Sequence, residues 1–162
     1  MHNEKLAAYL KEMTELANFS CTELQLSLAL ATIHNAPIIG KPGTQIKNQM
    51  LVIPAAKGKT RIAMAIALGM SKKYPSLKKV VVVYLNSLLM EQDQENWNKL
   101  HATTKAKIIR VVGLEAGVRN CDKSSIMIVD EADKIFIDEL QDVPKQLKCL
   151  IGLTASVPEK RG

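Results

Sequence analysis

A chain of 162 residues, 47% of them hydrophobic, can bury one ordinary core, since single domains mostly run from about 100 to 200 residues. Aromatics are scarce at 4%, which suits aliphatic strands covered by helices, an α/β design, better than an aromatic-rich β-sandwich. The net charge of +6, from 18 Lys and 4 Arg against 16 acids, allows a polyanionic partner such as nucleic acid or nucleotide, and equally a solvated Lys-rich surface. Cys21, Cys121 and Cys149 are odd in number and far apart, with no metal-ligand spacing, which argues against a disulfide framework or a zinc site and for a reducing, intracellular setting, cytoplasmic or nuclear. The N-terminus lacks the pattern of a signal peptide, and no apolar stretch approaches the roughly 18 residues of a membrane span, so no membrane insertion is expected.

In chain order, residues 4–18 place Leu6, Leu10, Met13 and Leu16, with Ala7 and Ala17, at spacings of three and four. This periodicity predicts an amphipathic helix, assigned to an accessory segment over residues 1–21. Thr22-Glu23-Leu24-Gln25 reads as a capping box opening a second, greasier helix that runs to about Ile33. Between 34 and 48, Pro37, Gly40, Pro42 and Gly43 predict a loop with Ile38 and Ile39 tucked inward. Five β-branched runs follow, at 50–53, 80–85, 108–112, 126–129 and 150–153. Helix-like segments separate most of them, the pattern of buried parallel strands in β-α-β units. The intervening segments 60–72 and 86–101 read as helices, the latter turning Leu89, Trp97 and Leu100 inward.

The first run leads into Pro54-Ala55-Ala56-Lys57-Gly58-Lys59-Thr60-Arg61, between a strand and a helix, where a phosphate-binding loop belongs. Each residue type has a reason: Gly58 lets the backbone approach phosphate, Lys59 supplies a point charge, and the Thr60 hydroxyl can ligate Mg²⁺. A bare Gly-Lys-Thr also arises by chance. The fourth run ends in Asp130-Glu131-Ala132-Asp133, which places carboxylates at the strand's carboxyl end, the edge where open α/β sheets hold ligands. Asp130 can hold Mg²⁺ and Glu131 can orient or deprotonate an attacking water. The alternative is a strand that simply exits into a polar loop.

Residues 53–60 resemble motif I of superfamily 2 helicases and translocases, usually Ala-Pro-Thr-Gly-Ser-Gly-Lys-Thr, keeping Pro54, Gly58, Lys59 and Thr60. Ile53 stands where the general loop has its first Gly. Ala56 replaces another Gly, and a positive φ there would cost about 1–2 kcal/mol. Asp130-Glu131-Ala132-Asp133 matches the family's DEAD-box motif II letter for letter. Residues 150–161, with Thr154 and Ser156, resemble motif III with one residue inserted. Residues 82–92 are similar to motif Ia but lack its Pro-Thr pair. Asn86-Ser87-Leu88-Leu89 with Asp93, Glu95 and Trp97, and residues 128–138, also resemble the SecA-type protein translocation motor.

This resemblance covers residues 22–162 and implies a RecA-like P-loop domain: a mostly parallel sheet of about five strands flanked by helices, binding ATP with Mg²⁺. It implies phosphate contacts from residues 54–61, metal contacts from Thr60 and Asp130, and catalytic roles for Lys59, Asp130 and Glu131. Thr154 and Ser156 would couple nucleotide state to domain closure, and Gln25 would read adenine, unless capping is its whole role. The implied partners are nucleic acid, or polypeptide on the SecA-like alternative, and a second RecA-like domain in cis or trans. Without that domain's arginine finger a factor of about 10³–10⁵ in rate is forfeited, so the chain alone is expected to bind ATP better than it hydrolyses it. A degenerate binding module without turnover is the non-enzymatic alternative. Only residues 113–125 separate the third and fourth runs, and the family's Gly-Gly and Thr-Pro-Gly-Arg motifs are missing there. Arg119 and Lys123 remain as phosphate contacts or as solvated cations in a turn.

Overall fold

A computed structural model describes residues 3–36, 47–54, 58–100, 103–134 and 149–155. The predicted loop at 34–48 falls largely outside the described residues, as do Ala55, Ala56, Lys57, Ser156 and most of the 150–161 and 128–138 stretches' ends.

The five apolar runs form one parallel sheet. Its strands are β1 (Lys47–Val52), β2 (Lys79–Tyr84), β3 (Lys107–Val112), β4 (Ser125–Val129) and β5 (Cys149–Thr154), in the order β1-β5-β4-β2-β3. Within β2 the side chains alternate: Val80, Val82 and Tyr84 join the larger core, while Val81 and Val83 face the smaller one. Burial on both faces explains why the central strands β2, β4 and β5 are nearly continuously apolar, whereas the edge strands β1 and β3 carry Asn48, Gln49 and Arg110.

Helices α1 (Asn3–Leu16), α2 (Glu23–His34) and α3 (Lys59–Lys73) belong to the larger core, through Leu10, Ile33, Ile62 and Ile66 among others. Thr22 caps α2 with the predicted box: its hydroxyl accepts from Gln25 N at 3.2 Å, and Gln25 Oε1 accepts from Thr22 N at 2.9 Å. In α1 the buried face is Leu6, Leu10, Thr14 and Ala17, while Leu16 is 67% exposed. Leu16 was expected inside. Thr14 takes the inward position because its hydroxyl is satisfied by the Lys11 carbonyl at 3.2 Å, which lifts the cost of burying it.

Two further expectations change. The helix predicted over 86–101 is broken at Asp93 into α4 (Ser87–Gln92) and α5 (Gln94–Asn98), with Trp97 and Leu100 buried as expected. The 113–125 stretch, read as a turn, contains α6 (Leu114–Asn120). This helix covers the smaller core with Leu114 and Val118. Gly117 lets it approach closely, since a Cβ there would stand 2.4 Å from Val83 Cγ2. The glycine that weakens its helical signal is what seats it on the sheet. Helices therefore flank both faces, and no described helix is long and apolar enough to cross a membrane.

Candidate nucleotide site

The carboxyl ends of β1 and β4 meet on either side of β5. Ile53 N donates to Thr154 O at 2.7 Å and Asp130 N to Val83 O at 2.9 Å, which carries the ladders one residue past the strands. Beyond them the chain turns toward the site. Gly58 has φ 76° and ψ 46°, left-handed backbone that favours glycine, and α3 begins at the next residue. The backbone conformation requires glycine here, and a Cβ would also push aside the Gln25 side-chain amide, whose Nε2 would lie 2.1 Å from it.

The first turn of α3 presents Lys59. Its Nζ lies 2.9 Å from Asp130 Oδ1 and 3.0 Å from Glu131 Oε1. All three side chains are partly buried. Burial favours the neutral form of Lys59, but its bonds to Asp130 and Glu131 outweigh that and raise its pKa above the ordinary value. Burial raises the pKa of Asp130, helped by the negative charges of Glu131 and Asp93, and Lys59 only partly offsets this. One ammonium thus serves a site in which carboxylates are in excess, an electrostatic setting that welcomes a further cation.

Glu131 is one of two described non-glycine residues with positive φ, at 53°. Such a conformation costs about 1–3 kcal/mol and tends to gather at functional positions. The strained backbone opens the tight turn Ala132–Lys134, in which Lys134 N donates to Glu131 O at 2.9 Å. It directs the Glu131 carboxylate back toward Lys59.

Thr60 Oγ1 donates to Asp93, at 3.1 Å from Oδ1 and 3.3 Å from Oδ2. Tyr84 OH lies 3.2 Å from Asp93 Oδ2, and Arg110 Nε donates to Tyr84 OH at 3.3 Å. Asp93 was not among the predicted site residues. Its signal was an acidic residue inside an otherwise helical run, which spacing alone cannot distinguish from a solvated position.

Gln25 closes the predicted capping box, and its side chain also lies against Gly58. It also lines a cleft of about 400 Å³ with Leu24, Leu28, Val52 and Pro54. Leu24 and Val52, 62% and 47% exposed, give this cleft an apolar rim. Thr154 is buried at the end of β5, its carbonyl taken by Ile53 N. Arg61 points elsewhere, donating through Nη1 to the Ser20 carbonyl between α1 and α2. As the third residue of α3 it tethers the start of that helix to the segment between α1 and α2. Arg119 is an exposed residue of α6, 3.5 Å from Glu115 one turn earlier.

The parallel five-stranded sheet, flanked by helices and with its phosphate-loop position and acidic strand end at one edge, is a RecA-like α/β fold. No protein-family model and no curated protein matches the chain. Among solved structures it is similar to a Sulfolobus solfataricus SWI2/SNF2 ATPase core in complex with dsDNA, with a TM-score of 0.56 and 19% identity. That likeness covers 83% of this chain and 32% of the other. The chain therefore spans about a third of that neighbour's length, and the likeness establishes the fold.

Proposed function

We propose that this chain is the nucleotide-binding domain of a helicase-like ATPase motor. The observation that carries the reading is the meeting of Lys59 with Asp130 and Glu131, 2.9 and 3.0 Å apart, at the carboxyl edge of a RecA-like sheet. On this reading Lys59 exchanges its two carboxylates for the β and γ phosphate oxygens of ATP. The helix N-terminus from Gly58 adds backbone N–H donors, and the cleft beside Gln25 receives the base, its amide reading the adenine edge.

The donors fit magnesium. Thr60 and Asp130 offer hydroxyl and carboxylate oxygens, the hard ligands that ion prefers, in a site where acids outnumber the ammonium. Thr60 and Asp130 would hold the ion, which when bound would supply positive charge against the charge developing on the transferring phosphate. Glu131 holds the attacking water and accepts its proton. Pro54, Ala55, Ala56, Lys57 and Arg61 complete the loop, Arg61 by tethering α3. Thr154 and Ser156 couple the site to a second RecA-like domain, in cis or trans, that contributes an arginine. Alone, the chain hydrolyses ATP weakly.

The partner on this reading is nucleic acid. The net charge of +6 and the dsDNA bound to the similar ATPase core favour it. A polypeptide-handling motor is the second reading, resting on the sequence resemblance of residues 86–97 and 128–138 to the SecA-type motor.

Thermal melts with Mg-ATP test the site: ligand at a hundredfold excess over Kd stabilises by about 2.7 kcal/mol, and Lys59→Ala should abolish the shift. A shift that survives in Lys59→Ala overturns the assignment. ATP turnover with added dsDNA, RNA or unfolded polypeptide then separates the partners, and a nucleic-acid effect should weaken as salt rises.

A further inference from the structure

Around Thr60 the hydrogen bonds run in one direction. The Thr60 hydroxyl has one proton and two lone pairs, and its proton is committed to Asp93, 3.1 and 3.3 Å from the two carboxylate oxygens. What remains on Oγ1 can only accept. Asp93 is itself fixed from the far side: Tyr84 OH lies 3.2 Å from Oδ2 and is 1% exposed as a residue. Arg110 in turn holds Tyr84, with Nε 3.3 Å from the phenol oxygen and its guanidinium 5.2 Å from the ring centroid. Arg110 Nη2 also donates to the Met90 carbonyl. The row thus crosses four elements, β3, β2, the α4–α5 break and α3.

A local role does not account for Asp93. It stands before α5, yet its side chain makes no capping bond there. Its carboxylate is spent on Thr60 and Tyr84.

We propose that Asp93 is a positioning residue for the metal of the nucleotide site: by taking the Thr60 proton it turns the Thr60 oxygen toward Mg²⁺, with Tyr84 and Arg110 holding Asp93 in place. This rests on the ATP-binding reading above and adds an outer residue to it. Partners that orient a metal ligand from behind commonly matter about as much as the ligand itself.

The test is binding of a fluorescent ATP analogue, followed by anisotropy in the full chain, with Mg²⁺ titrated in or withheld by chelator. Asp93→Ala should raise the Mg²⁺ concentration for half-maximal tightening by about tenfold or more while metal-free affinity holds within about twofold. Asp93→Asn, which keeps the shape and removes the charge, should raise it by less, and Tyr84→Phe by less again. Asp93→Asn carries the test if Asp93→Ala fails to fold. An unchanged Mg²⁺ requirement in folded Asp93→Asn overturns the proposal. So does an equal loss of affinity with and without Mg²⁺, which would mark a purely structural residue. Nucleotide binding by the unaltered chain that Lys59→Ala abolishes, alongside either result, confines the failure to Asp93. Absence of binding by the unaltered chain overturns the nucleotide reading and this inference with it.

Discussion

The backbone of Gly58 lies flush against the side-chain amide of Gln25, leaving 2.1 Å between Gln25 Nε2 and the place where a Cβ would sit. Two stretches more than thirty residues apart, the capping box of α2 and the entry to α3, are thereby locked together at the mouth of the apolar cleft.

Gly58→Ala should destabilise the chain by about 1–2 kcal/mol from the left-handed backbone alone, with a further cost for displacing Gln25. A double-mutant cycle with Gln25→Ala separates the two. The steric part should vanish in the double variant, and the conformational part should persist in thermal melts. Simple additivity of the two single changes would show that the amide and the loop do not press on each other.

At Glu131 the conflict is between conformation and chemistry. Glu131→Gln and Glu131→Gly both remove the carboxylate that meets Lys59, so both should lose ATP turnover. Only glycine relieves the positive φ. Glu131→Gly should therefore be more stable than Glu131→Gln by about 1 kcal/mol, the strain released less the added freedom of the unfolded chain. Denaturant midpoints of the two variants decide it, and equal midpoints would mean the turn carries no strain.

Gly117→Ala gains about 1 kcal/mol of helix propensity on an exposed helix, so a stabilised variant would be the naive result. Here the new methyl meets Val83 Cγ2 at 2.4 Å on a stiff β-branched side chain. Overpacking of about 1–3 kcal/mol should win, and the melting temperature should fall. The loss should be accompanied by weaker packing of α6, seen as faster amide exchange in 114–120.

Alkaline pH should unfold the chain through buried thiols. Burial pushes Cys149 up to about 12 from an ordinary 9.0, and Cys121 likewise to about 12, with Asp122 adding to it and Lys79 opposing. Because these folded pKa values lie above the unfolded ones, their contribution is whole below pH 9 and is lost as pH climbs from 9 to 12. The buried Cys149 thiol can cost up to about 1.4 kcal/mol per pH unit in that window, and the partly exposed Cys121 less. Cys149→Ala should be less stable at pH 7 and lose stability more slowly above pH 9, as followed by circular dichroism melts. Parallel curves for the two proteins would show that Cys149 does not titrate on unfolding.

Much of the architecture was readable in advance because its signals are local. The five short apolar runs stood out, most strongly in the central strands β2, β4 and β5 that are buried on both faces, and Thr22 with Gln25 announced the start of α2 by capping chemistry that spans three residues. Lys59, Asp130 and Glu131 could be singled out because strand ends and helix starts are where ligands can be held. Their residue types had few other reasons to be there.

What only the tertiary structure decided depends on neighbours distant in sequence. Leu16 lost its inward place to Thr14 because the Lys11 carbonyl was at hand, and Arg61 turned to Ser20 because α1 and α2 meet beside it. The α6 glycine reads as a helix breaker until Val83 is seen beneath it. Asp93, at the junction of α4 and α5, is singled out only once Thr60 and Tyr84 are seen bonding its carboxylate. Periodicity and capping announced most of the elements, and motif resemblance marked the two halves of the candidate site. The spacing between those halves, and the third carboxylate behind them, came from the packing of α3, α4 and α5 on the sheet, since such contacts join residues that no local pattern relates.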